Sequence, residues 1–178
     1  LTRWKGQQVL IEALAILGRK DIRCLFIGDD QGRGSYRRDL DSLVKKLNLS
    51  DIVHFPGHCR DMPAAYMLAD VVVSASTDPE AFGRVMVEAQ AMGKPVVVSN
   101  HGASAELIVE GETGWGFVPG DPQSLARSLE TALSLSEQQR EGLADKAISH
   151  VGARFTVTNM RRQTMNTYRE VLQMDPAG

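Results

Sequence analysis

Short, largely apolar runs, each followed by a segment of helical periodicity, decide what this chain can fold into. The runs are Ile22 to Ile27, Asp51 to Phe55, Val71 to Val73, Pro95 to Val98 and Trp115 to Val118. Strands that are apolar on both faces belong to a buried parallel sheet rather than to a half-wetted antiparallel one. Between them lie amphipathic segments. Val9, Leu10, Ala13, Leu14 and Leu17 recur at helical spacing, and Gly18 closes that helix. Leu40, Leu43, Val44 and Leu47 mark a second. Strands alternating with helices give an α/β chain with a doubly wound parallel sheet. The 178 residues are enough for one domain with its own core.

The remaining punctuation fits this scheme. Gly28-Asp29-Asp30-Gln31-Gly32-Arg33-Gly34 reads as a loop, and Pro56-Gly57 closes a strand. Asp61 caps a short helix that runs through Tyr66 to Leu68. Asn100 to Ala103 is a loop, followed by a helical turn around Glu106-Leu107. Asp121-Pro122 is a cap with proline at the first helical position. Ser136-Glu137 opens another helix, and Thr156 or Thr158 opens the last, which carries Met165, Tyr168, Val171 and Leu172. In such a sheet ligands sit at the carboxyl ends of the strands. Lys5, Gly28, Gly57, Glu80 and Asn100 fall at or near those ends, so they are expected to converge.

The stretch with the most chemistry is Asp78-Pro79-Glu80-Ala81-Phe82-Gly83-Arg84-Val85-Met86-Val87-Glu88. The apolar run Val71 to Val73 puts a strand ahead of it. Val85 to Met92 reads as a helix with Val85, Val87, Ala89 and Ala91 as its apolar surround. The first-turn N–H groups near Phe82, Gly83, Arg84 and Val85 make an anion site, and Gly83 leaves it open. Glu80 and Glu88 lie at either end. A carboxylate is an acceptor-only, charged group and suits a pair of hydroxyls. A fully helical stretch between the two would span roughly 12 Å, the reach from a sugar across a diphosphate to a ribose. The ordinary alternative is a first-turn acid at Glu80 and a solvated helix face at Glu88.

Glu80 and Glu88, with Phe82-Gly83 between them, resemble the E-x7-E motif of the GT-B retaining glycosyltransferases of family 4, also called group 1. The resemblance also covers Trp4-Lys5-Gly6, Phe26-Ile27-Gly28-Asp29, Val53-His54-Phe55-Pro56-Gly57 and Ala69-Asp70-Val71. It continues through Gly93-Lys94-Pro95-Val96-Val97, Glu112-Thr113-Gly114 and Pro119-Gly120-Asp121-Pro122, nearly the whole chain. It implies a Rossmann-like domain, the single C-terminal half of a GT-B fold, spanning residues 1–178 as a nucleotide-sugar-binding unit. The implied donor is a nucleoside diphosphate sugar, UDP or GDP, with no metal required. By the same resemblance Lys5 and Glu80 are catalytic, Lys5 neutralising the diphosphate and Glu80 holding the transferred sugar. Gly28, Ala81, Phe82, Gly83, Arg84 and Val85 line the donor, and Glu88 holds the ribose. The loop Gly57-His58-Cys59-Arg60 lies beside the base.

The resemblance also implies an arginine ahead of Leu1, carried on a further strand. It implies an N-terminal domain that supplies the acceptor, a glycan or a lipid-linked saccharide of the cell envelope. The chain opens on Leu1-Thr2-Arg3-Trp4 and is expected to be a piece of a longer protein. Arg84 and Ala103 depart from the family pattern, which favours an apolar residue and a second glycine at those places.

The same residues bear on other readings. Gly28, Gly32 and Gly34 miss the spacing of a dinucleotide fingerprint, and Gly93-Lys94 lacks the upstream glycine of a P-loop. His54, His58 and Cys59 have no second cluster to complete a zinc site. A glycoside hydrolase needs its carboxyl groups on either side of one bond, roughly 5–10 Å apart. A non-catalytic nucleotide-sugar-binding module and a GT-B sugar-nucleotide epimerase stay open. A net charge of −2 gives no nucleic-acid surface. No apolar run is long enough to span a bilayer. Cys24 and Cys59 form no Cys-x-x-Cys pair, and reduced thiols in a cytoplasmic protein are expected. Peripheral contact with the inner face of the cytoplasmic membrane goes with a lipid-linked acceptor.

Overall fold

The computed structural model describes residues 1–29, 32 and 34–173. Asp30, Gln31 and Arg33 of the expected loop lie outside the described residues. After a 3-10 turn over Arg3–Lys5, helix α1 spans Gln7–Leu17 and ends at Gly18 in the left-handed conformation. Then come β1 (Cys24–Ile27), α2 (Gly34–Lys46), β2 (Val53–Gly57), α3 (Met62–Leu68) and β3 (Val72–Ser74). The second half holds α4 (Arg84–Ala91), β4 (Val96–Ser99), a 3-10 turn over Gly102–Glu106, β5 (Gly114–Phe117), α5 (Pro122–Leu133), α6 (Glu137–Arg154) and α7 (Val157–Gln173).

The capping signals act as expected. Asp61 accepts from the Ala64 N–H, and Asp121 accepts from the N–H groups of Gln123 and Ser124. Ser136 and Gln139 form a reciprocal capping box. Of the two threonines considered for the last helix, Thr156 caps it, accepting from the Asn159 N–H.

Every strand pairing is parallel. The strands fall into two sheets, β1-β2 and β3-β4-β5, rather than the single sheet expected. A cavity of about 920 Å³ lies between β1 and β3, lined by Phe26 on one side and Val73 on the other, and these strands do not pair.

The larger sheet is covered on both faces, as a doubly wound architecture requires. Along β4 the side chains alternate. Val97 joins the core of α1 and α5, with Ile11, Leu125 and Phe117, while Val96 and Val98 join Met86, Ala89 and Leu107 on the other face. Val96, Val97 and Val98 are fully buried. Each such side chain contributes about 1.5–3 kcal/mol of transfer free energy. The helix after β3 differs in one respect from its expected face. Met86, Ala89 and Gln90 are its buried positions, whereas Val85 and Ala91 are exposed. A helix repeats at 3.6 residues, so alternate residues cannot share one face.

Candidate functional site

The site is built where β3 ends. Ser74 closes the strand, Ala75 and Ser76 follow, and the chain then crosses Pro79 and Glu80 to reach α4. The turn carrying Lys5 is fastened to this segment by backbone. The Thr77 N–H donates to the Trp4 carbonyl at 2.7 Å. Gly6 makes the approach possible. Its φ is +66°, and a Cβ there would lie 1.7 Å from the Ala75 carbonyl oxygen.

Lys5 and Glu80 meet directly. The ammonium donates to Glu80 Oε1 at 2.8 Å, with the carboxylate side chain only 11% exposed. Ser76 and Ser74 donate to the same oxygen. Burial alone would raise the Glu80 pKa, but Lys5, Ser76 and Ser74 outweigh it and hold the carboxyl below its usual range. Among the described residues Oε2 of Glu80 takes no hydrogen bond, so one oxygen is fixed and the other is available.

Gly83 sits at the N-cap of α4 with φ 77°, and no side chain caps the helix there. A Cβ at Gly83 would lie 3.0 Å from Leu107 Cδ1. The N–H groups of Arg84 and Val85 come before any i−4 carbonyl of the helix. The expected stretch from Glu80 to Glu88 is therefore helical only from Arg84, and the 12 Å figure for a continuous helix does not describe it. Ala81 and Phe82 are exposed in the preceding bend. Phe82 stands edge-on to Phe155 at 5.9 Å.

Glu88 is held from both sides. Tyr66 donates its phenol proton to Oε2 at 2.8 Å, and Arg84 donates to Oε1 at 3.2 Å. The Arg84 side chain is 83% exposed and turns along the helix surface toward Glu88. Val85 is exposed at the rim of the cavity that Lys5, Glu80, Gly83 and Tyr66 also line. Gly28 lies at the end of β1, where its N–H donates to the Gly57 carbonyl at 2.8 Å. It is placed with Gly57, and among the described residues no hydrogen bond joins it to Glu80. His101 donates through Nε2 to the Ser76 carbonyl at 3.1 Å, and the Ala103 N–H donates to the Glu80 carbonyl at 3.3 Å. The loop after β4 thus braces the Glu80 segment.

The sequence reading missed Ser74, Ser76 and Tyr66. The two serines carried a signal, since residues two apart at a strand end share a face. Tyr66 carried none, because its partner is 22 residues away on another helix. Among the described residues no group of three or more His, Cys, Asp or Glu is arranged to hold a metal ion. No helix among them is long and apolar enough to cross a membrane.

The family model described as glycosyl transferases group 1 matches residues 1–150. A D-inositol 3-phosphate glycosyltransferase of Corynebacterium urealyticum is 35% identical over all of this chain and 43% of its own length. Among solved structures, HepE of Anabaena in complex with UDP and glucose is 34% identical, with a TM-score of 0.86 over 95% of this chain and 46% of that one. A glycosyltransferase of Rickettsia africae is 32% identical, with a TM-score of 0.89 over 98% of this chain and 46% of that one. The chain spans less than half the length of these relatives. Its parallel sheets and flanking helices are the architecture of one half of a GT-B fold. By the match of the family model to most of its length, this chain belongs to the glycosyl transferases group 1 family.

Proposed function

We propose that this chain is the donor-binding half of a retaining glycosyltransferase, which moves a sugar from a nucleoside diphosphate to an acceptor hydroxyl. The observation that carries this reading is the Lys5–Glu80 contact at the tip of α4, 2.8 Å long and part-buried. It sets a cation beside an acidic acceptor, and both line the cavity that Gly83 and Val85 at the start of α4 also line. A diphosphate leaving group develops negative charge as the sugar departs. Lys5 and the N–H groups of Arg84 and Val85 stabilise that charge, the role a divalent cation has in other transferases. No metal is needed in this scheme. Glu80 accepts from the hydroxyls of the transferred sugar, Ala81, Phe82 and Gly83 lie along it, and Glu88 accepts from the ribose diol. Gly28 lets the loop after β1 lie close to the donor. In this scheme, as the family resemblance implies, the leaving phosphate assists attack from the same face.

UDP is the first donor nucleotide to test, because the similar HepE of Anabaena was solved with UDP and with UDP-glucose. The rest of the full-length protein supplies the acceptor site, for a glycan or lipid-linked saccharide at the inner face of the cytoplasmic membrane. A segment ahead of Leu1 supplies a further arginine and strand. In favour of this, the cavity between β1 and β3 has apolar walls from both strands and Leu1 in its lining. The chain of 178 residues by itself binds nucleotide weakly and transfers no sugar.

Calorimetry of the full-length protein against UDP, GDP and ADP, followed by transfer from the matching diphosphate sugar, tests the reading. Binding of one diphosphate and acceptor-dependent transfer lost in Glu80→Ala are expected. No heat with any of the three would sink it.

A further inference from the structure

Tyr66 lies on α3, outside every motif of the sequence, yet it touches Glu88. Its ring is 4% exposed and packs with Met86 and Ala89 beneath α4. Its hydroxyl donates to Glu88 Oε2 at 2.8 Å. We infer that Tyr66 is the positioning residue that fixes the Glu88 carboxylate for a vicinal diol, and so sets the preference of this site for ribose over deoxyribose. The inference rests on the proposed role of Glu88 as the ribose acceptor.

The two contacts on Glu88 are unequal, and the difference carries the argument. The Arg84 contact joins residues four apart on one helix face, and its guanidinium is 83% exposed. Water screens such a pair and a ligand hydroxyl can displace it. The Tyr66 contact joins two helices and comes from a buried ring that cannot swing away. Tyr66 has one proton to give. Burial, then the hydrogen bond and charge of Glu88, push the phenol well above its ordinary pKa. The phenol therefore keeps its proton near neutral pH. With Oε2 anchored by Tyr66 and Oε1 held only by the exposed Arg84, the carboxylate keeps one orientation and still has acceptor lone pairs for two adjacent hydroxyls. Without Tyr66, Glu88 keeps its charge and its place on α4 but samples several rotamers, and each nucleotide must order it on binding.

The test uses Tyr66→Phe, which keeps the buried ring and removes only the hydroxyl. Calorimetry on the full-length protein compares UDP, GDP and ADP, each beside its 2′-deoxy form. In the unaltered protein the bound nucleotide loses about tenfold in affinity when its 2′-hydroxyl is removed. In Tyr66→Phe the ribose form weakens by about three- to tenfold, the deoxy form hardly changes, and the ratio between them falls toward one. Glu88→Ala gives the same low ratio, and adding Tyr66→Phe to it changes nothing further. A merely structural Tyr66 would weaken both forms alike and leave the ratio intact, which overturns the inference while the donor-site reading stands. If none of the diphosphates binds the unaltered protein, both are overturned.

Discussion

Lys5 and Glu80 are 75 residues apart in the chain and 2.8 Å apart in space. Lys5 is presented by a turn that Gly6 allows to press against Ala75, and Glu80 by a segment braced by the loop after β4. Neither side chain could be so placed by its own element. The contact therefore measures whether the α1 turn and the carboxyl end of β3 are assembled.

Its loss is read in stability as a function of pH. Glu80 has a folded pKa below its ordinary value. Such a carboxylate contributes stability that is present above its unfolded pKa, about 4.3, and is lost as pH falls through the folded value. Lys5→Met leaves the part-buried Glu80 with only hydroxyl partners and costs about 1–3 kcal/mol near neutral pH. The gap between the two proteins should close below pH of about 4, where Glu80 is protonated in both unfolded chains and progressively in both folded ones. Urea unfolding across that range checks this; a gap independent of pH would show that Glu80 is not the group involved.

In the full-length protein the same side chain should matter to turnover. If Lys5 meets charge that develops on the leaving diphosphate, Lys5→Ala lowers kcat by about 10²–10³, with a smaller change in KM. A rise in KM with kcat unchanged would mean that Lys5 binds the donor and its transition state equally.

Gly6 and Gly83 both have positive φ, but they face different neighbours. A Cβ at Gly83 meets the end of the Leu107 side chain at 3.0 Å, which can give way. A Cβ at Gly6 meets the Ala75 carbonyl at 1.7 Å, which is backbone. Gly83→Ala should cost about 1–2 kcal/mol, close to the intrinsic penalty of the left-handed conformation. Gly6→Ala should cost clearly more and part the Lys5 turn from β3. Thermal melting of the two variants orders them, and equal costs would contradict the close approach at Gly6.

These residues also show what was legible in advance. The valine runs named β3 and β4, because short runs of β-branched apolar residues read as strands, although only β4 is buried throughout. Asp121-Pro122 and Ser136-Glu137 named the starts of α5 and α6, since caps act over one turn. Glu80 and Glu88 stood out by spacing and resemblance. The break between β1 and β3 did not, because a local pattern names strands and not their neighbours. Tyr66 was equally hidden, being an ordinary core residue until its hydroxyl is seen 2.8 Å from Glu88. The face of α4 was misjudged by taking alternate residues where the helix buries Met86, Ala89 and Gln90.

His150 backs the exposed Phe82 through an intermediate ring. Its ring is edge-on to Phe155 at 5.7 Å, and Phe155 is edge-on to Phe82 at 5.9 Å. Its Nε2 is buried without a hydrogen-bond partner among the described residues. Burial, then the nearby Arg154, lower its pKa. A histidine depressed in the folded state binds fewer protons there than in the unfolded chain below its ordinary value, about 6.5. Stability must then fall as pH drops through that value, until the folded imidazole also takes its proton. His150→Leu removes the titration and keeps an apolar group against Phe155. The stability of His150→Leu relative to the unaltered protein should therefore improve steadily between about pH 7 and about pH 5. Chemical unfolding at several pH values in that window gives the difference directly. A constant difference would mean that the folded protein leaves His150 free to take up its proton as readily as the unfolded chain does.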